Sequence, residues 1–280
     1  MKRFFILAAA CCFILCSCNK KDEPQATQQV QFKVTAFGQT TEPMNAPAIR
    51  RAPILDDEGG TALTDLYVFD GTTQLAHQTN DQEGFGTVIL DLTHGNHNLS
   101  FILTRSTGLS YDAGVLTMTG IRPTFGKLLA LNVNGSTPAQ NLILDRISGQ
   151  LSITINDKFP TTADQIEFSM PTKYSQINVT NLCGVNADAW SQKVSCTSKQ
   201  NQTGVQYHFN TICPSLTEEY TSDLTINIYN SSNAVIYTVT IEDVRFAANT
   251  KTMLSGNLFT TPSASVGVNT SWNTNIVGTL

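Results

Sequence analysis

Charge is scarce in this sequence. Asp, Glu, Lys and Arg make up 14% of its 280 residues, against about 25% in an average soluble domain. The few charges lean acidic, with 22 Asp and Glu against 17 Lys and Arg and a net charge of −5. Such a chain has no basic stripe to neutralise phosphates, which excludes nucleic acid as a partner. Histidine is also rare, at four residues, and no Cys-x-x-Cys spacing occurs, so no zinc site is expected. His94 and His97 are the one histidine pair, and His97 reads as the start of a strand rather than a metal ligand. Asp56, Asp57 and Glu58 lack the spacing of a calcium loop and read as a solvated acidic stretch. There is no Gly-x-Ser-x-Gly, no phosphate-cradling glycine loop and no His-Glu-x-x-His, and the carboxylates are scattered. The expectation is a protein without catalytic residues, metal or cofactor.

Helical periodicity is missing too. Residues 186–194 alone could form one short helix. Long apolar runs are absent: the opening run, Phe4 to Leu15, is 12 residues, short of the roughly 20 needed to cross a bilayer. Preceded by Met1-Lys2-Arg3, it reads as a signal sequence over 1–17. It ends in Leu15-Cys16-Ser17-Cys18, an aliphatic residue and two small ones before a cysteine. This looks like a lipobox, so Cys18 is the expected lipidation site and new N-terminus. A bacterial lipoprotein carries two or three acyl chains, and each buried methylene contributes roughly 0.8 kcal/mol. The membrane is thus an expected partner, through those chains. A polar tether follows over 18–29, and its Lys21-Asp22-Glu23 resembles the surface-export signal of Bacteroidetes lipoproteins.

What is abundant is alternation. Val30, Phe32, Val34 and Ala36 alternate with Gln31, Lys33 and Thr35, the period of a half-buried strand. Residues 39–60 hold three prolines and Arg50-Arg51, a long exposed loop. Strands are expected over Leu63 to Asp70, Gln74 to Gln78, Thr87 to Leu92, His97 to Thr104 and Leu128 to Val133. A second set covers Ile147 to Ile155, Ile166 to Met170, Val205 to Asn210, Leu224 to Ile228, Val235 to Ile241 and Met253 to Phe259. Asp70-Gly71, Asn134-Gly135 and Asn230 to Asn233 supply turns. Many short strands between turn signals mean an all-β sandwich. The two sets divide near residue 142, giving two β-sandwich domains over 30–142 and 143–280. Of the cysteines beyond the signal and anchor, Cys183, Cys196 and Cys213, one pair could bridge in an oxidising compartment. Cys183 and Cys196 are nearest in sequence, and three free thiols are the alternative.

Several pieces then take on a family look. They are Leu63-Thr64-Asp65-Leu66-Tyr67-Val68-Phe69-Asp70-Gly71, Gly95 to Leu99, Asp145-Arg146 before an alternating strand, and Asn249 to Phe259. In this order, behind a lipobox, they resemble the fimbrillin superfamily of Bacteroidetes, most of all its FimB-like minor (anchor) subunits. The resemblance covers most of the chain after Cys18. It implies two tandem transthyretin-like sandwich domains, lipid anchoring at the outer membrane, and assembly with fimbrial pilin subunits by strand complementation in fimbria assembly and cell adhesion. A host or bacterial surface receptor is a further implied partner. In polymerising members, cleavage after an arginine removes an N-terminal strand, and here Arg50 and Arg51 would be the site. Such a cut would also detach the lipid, which suits a stalk or tip pilin and not an anchor. A different reading is a surface glycan-binding lipoprotein, with Trp190 and Trp272 stacking on sugar rings.

Overall fold

The computed structural model describes residues 25–36 and 60–259, together with the backbone of 264–269. The first strands in chain order are β1 (Thr27–Ala36), β2 (Asp65–Asp70), β3 (Thr73–Thr79), β4 (Thr87–Thr93) and β5 (Gly95–Thr104). Then come β6 (Ser110–Asp112), β7 (Val115–Thr117), β8 (Thr124–Val133), β9 (Gln140–Arg146) and β10 (Ser148–Ile155). The later ones are β11 (Gln165–Lys173), β12 (Gln176–Asn178), β13 (Cys183–Val185), β14 (Asp188–Ser195) and β15 (Val205–Ile212). The last are β16 (Tyr220–Tyr229), β17 (Val235–Phe246), β18 (Lys251–Gly256) and β19 (Ala264–Asn269). One 3₁₀ turn at Thr197–Lys199 is the only helical element among the described residues. The protein is all-β, as the alternation indicates.

Three apolar cores organise these strands. In the first part, one sheet runs β3-β2-β5-β8-β9-β1-β4. Its β8–β9 join is narrow, only Phe125↔Arg146 and Gly126↔Asp145. About that join it folds into two layers. Leu66, Val68, Phe101 and Phe125 from one side meet Phe32, Val34, Leu90 and Leu144 from the other in one buried cluster. The division read at residue 142 falls inside β9, whose Leu142 and Leu144 both belong to this first core. In the second part, sheet β15-β10-β18-β19 faces sheet β14-β11-β16-β17. Leu151, Ile153 and Phe209 there pack on Phe168, Ile226 and Phe246.

The third core joins the two parts. The run Leu66-Tyr67-Val68-Phe69 is buried at every position. Leu66 and Val68 enter the first core, while Tyr67 and Phe69 point the other way into the third. A strand buried on both faces has no reason to alternate. What covers the second face is a four-stranded sheet, β13-β12-β7-β6, built from one hairpin of each part. Its central pairing is Gln176↔Thr117, Ile177↔Leu116 and Asn178↔Val115. Gly126 makes room for it: a Cβ there would stand 2.9 Å from Leu182 Cδ1.

Three expectations need correction. The sequence points to a short helix over 186–194; the structure has β14 there, paired with β11 from Gln165↔Ser195 to Lys173↔Asp188. Tertiary pairing overrides weak local preference, and Trp190 packs edge-on against Phe209 at 5.1 Å. β11 continues past Pro171 to Lys173, because the register shifts between Met170 and Lys173 and the proline's missing N–H breaks no regular ladder. β18 stops at Gly256, since Asp157 takes the N–H groups of Leu258 at 3.1 Å and Phe259 at 2.5 Å. Among the described residues no helix is long and apolar enough to cross a membrane.

Ile177 is fully buried in the joining core. Ile177→Ala is expected to cost about 2–4 kcal/mol of unfolding free energy in urea. Ile89→Ala, at a side chain 61% exposed, is expected to stay within about 0.5 kcal/mol.

Candidate functional site: the first strand and its groove

β1 is an interior strand laid down by the very start of the described chain. On one side it pairs antiparallel with β4, from Thr27↔Thr93 to Lys33↔Thr87. On the other it pairs parallel with β9, from Phe32↔Gln140 to Ala36↔Leu144. Val30, Phe32, Val34 and Ala36 are each at most 2% exposed. Phe32 meets Phe101 across the core, ring centroids 5.2 Å apart. The Gln28 amide donates to the Thr137 carbonyl at 2.7 Å and accepts from Thr137 N–H at 3.1 Å, fixing the strand's start. Each fully buried aliphatic or aromatic side chain contributes roughly 1.5–3 kcal/mol. Removing β1 would therefore open an apolar groove and leave β4 and β9 with unpaired backbone.

A histidine clamp stands where β1 begins. His97 is 8% exposed. Its Nδ1 lies 2.6 Å from the Asp70 carboxylate, and its Nε2 lies 2.8 Å from the Thr93 carbonyl. Both partners are acceptors, so the doubly protonated ring satisfies both contacts at once. Asp70 ends β2 and Thr93 ends β4, so the ring ties the two layers of the first sandwich. Thr93 is also the partner of Thr27. Burial of the ring opposes its charge. The hydrogen bonds to Asp70 and Thr93 and the Asp70 charge outweigh that and raise its pKa above the ordinary 6.5. His97 is the third residue of β5, which begins two positions earlier at Gly95.

The other singled-out residues fall as follows. Cys18, Arg50, Arg51, the Asp56 to Glu58 stretch and Trp272 lie outside the described residues. Cys183, Cys196 and Cys213 are free thiols. Cys196 packs in the second core, whereas Cys183 sits on β13 of the joining sheet. Trp190 borders a shallow cavity of about 360 Å³ with Ser169, Met170, Pro171, Ala189 and Ser191. One face of its ring carries the Lys173 ammonium at 3.8 Å. Burial, with Arg122 nearby, lowers that ammonium to about 8. Trp190 is thus engaged in packing. Arg146 is buried with its guanidinium 5.6 Å from the Phe125 ring centre, while Asp145 pairs with Lys127 at 2.9 Å. The clamp was not legible, because Asp70 reads locally as a turn residue before Gly71.

No family model and no curated protein matches the chain. Solved structures do. A candidate adhesin from Bacteroides ovatus aligns with a TM-score of 0.51 and 10% identity, over 78% of this chain and 83% of that one. The chain shares that adhesin's fold. A candidate polysaccharide-binding protein from Bacteroides thetaiotaomicron aligns at 0.50 and 13% identity, over 90% and 98%. The fimbrial anchor protein Mfa2 from Porphyromonas gingivalis is more distant, at 0.45 and 8% identity, over 87% and 98%. The all-β, sandwich-like architecture agrees with the fold class read from the alternation.

The His97 contribution has a definite sign. A raised folded pKa means the stabilisation is fully present below the ordinary 6.5 and is lost as pH rises through the folded value. Urea unfolding is expected to show a stability that falls from acidic to alkaline pH across this window. His97→Gln is expected to flatten that part of the profile and to cost about 1–3 kcal/mol on its acidic side.

Proposed function

We propose that the chain is a lipid-anchored minor or anchor subunit of a fimbrium, acting in fimbria assembly and adhesion at the outer membrane. The observation that carries this reading is the placement of β1. Cys18 lies nine positions before Thr27, so a pull on its acyl chains passes directly into a strand paired on both sides. The pull acts along the strand axis, and the ladder hydrogen bonds and four buried side chains resist it together. A body held this way suits the base of a filament. The fold shared with a candidate adhesin and the lipobox-like Leu15 to Cys18 support the same reading.

While β1 stays in place, its groove is filled from within the chain. Strand complementation with a pilin then has to use an outer edge or a strand given by this chain. β4, for example, pairs only with β1 among the described strands. An added strand gains main-chain hydrogen bonds and side-chain pockets at alternate positions. A cut at Arg50 or Arg51 would reverse this logic. It would separate β1 and its lipid covalently from the body and open the groove to a neighbour, the role of a stalk or tip pilin.

The test is the N-terminus of the protein isolated from cell membranes. Mass analysis is expected to find acylated Cys18 at the start of an uncut chain, with fimbriae released into the medium when the gene is deleted. A chain starting at Arg51 or Ala52, or fimbriae still held in the deletion strain, would overturn the anchor role.

A further inference from the structure

We propose that Cys183 and Cys213 form a disulfide that fixes the second part's joining hairpin, β12–β13, to the end of β15 in the second sandwich. The two residues meet through their backbones: Gly184 N–H donates to the Cys213 carbonyl at 2.7 Å. The path from Cys183 Cα through that hydrogen bond to Cys213 Cα is at most about 7.5 Å with standard backbone dimensions. Folding of that path brings the Cα atoms toward the disulfide range of about 4.4–6.8 Å. Cys196 is differently placed, although it is nearer to Cys183 in sequence. β14, eight residues long, spans about 23 Å of extended chain and carries Cys196 into the second core.

The two thiols have complementary characters. Cys183 is half-buried, and its Sγ contacts the Asn181 carbonyl at 3.5 Å. Cys213 is fully buried. Burial pushes its thiol up to about 12, with a hydrogen bond involving Gly149 opposing the rise and nearby Cys183 adding to it. The reachable Cys183 thiolate therefore attacks first. The oxidant is an external disulfide, such as glutathione disulfide or the disulfide of a thiol oxidoreductase. Attack joins Cys183 to one half of that disulfide and releases the other half as a thiol. Cys213 then attacks the Cys183 sulfur and releases the second half. Two cysteine thiols are oxidised, one external disulfide is reduced, and the two cysteine protons leave on the released thiols.

The position gives the bridge its consequence. Cys183 belongs to β13, which pairs with β12, and β12 pairs with β7 from the first part. Cys213 follows β15, an edge strand of the second sandwich. A bond between them fixes the joining hairpin to the body behind it. It also closes a loop of about 30 residues, which restrains the unfolded chain.

The experiment equilibrates the full chain, isolated as the cell produces it, with glutathione disulfide. Free thiols are then alkylated and the cross-linked peptides mapped by mass. The expected result is a peptide pair joining Cys183 to Cys213, with Cys196 alkylated only after denaturation. The oxidised protein is expected to melt about 5–10 °C higher than the reduced one, and Cys213→Ala is expected to lose that difference and to retain glutathione on Cys183. A Cys183–Cys196 link, or Cys183 left capped by glutathione in the unaltered protein, would overturn the proposal. The mapping on the unaltered chain stands even if Cys213→Ala folds poorly.

Discussion

A strand inside a sheet must satisfy its backbone on both sides, and β1 is the strand on which this structure depends. β4 reaches the rest of its sheet only through β1, in the order β9-β1-β4. Val30, Phe32, Val34 and Ala36 supply β1's whole contribution to the first core. Take β1 away and β4 loses its ladder partner, while the core loses one wall. The constraint is also mechanical. A pull along β1, of the kind the proposed anchor would exert, would load the strand in shear, where many hydrogen bonds share the load.

The second constraint is the joint. Tandem sandwiches linked by one crossing segment would swing freely, as small polar interdomain contacts usually allow. Here each part lends a hairpin to a common sheet, and a third core of Tyr67, Phe69, Ile102, Leu116, Ile177 and neighbours lies beneath it. Side chains as large as these bury enough apolar surface to hold one arrangement. The two sandwiches are therefore joined by a buried core and not by a single connecting segment. Cys183 lies in this sheet, on β13, and Cys213 lies beside it, where a covalent bond would fix the hairpin to β15.

The sequence made the sandwiches legible wherever one face of a strand is wet. β1, β4 and β16 alternate strictly, and their readings agree with the structure. It was less informative where both faces are covered or where pairing alone makes a strand. Leu66 to Phe69 read as a strong strand, yet its unbroken apolar run was also the signal of a second covering layer. β6, β7, β12 and β13 are three residues each, too short for any period to register. β14 carries Asp188, Ala189 and Lys193, poor strand formers, and exists through its ladder to β11. The His97 clamp joins residues 27 positions apart, a distance no local pattern spans.

β1 completes the first sandwich, paired on one side with β4 and on the other with β9. The most direct measurement is binding of a synthetic peptide of residues 25–36 to a chain that begins at Ala52, followed by urea unfolding. The account predicts that the shortened chain is markedly less stable, that the peptide restores stability, and that a peptide with Phe32→Asp does not. A shortened chain as stable as the full one, indifferent to the peptide, would contradict it.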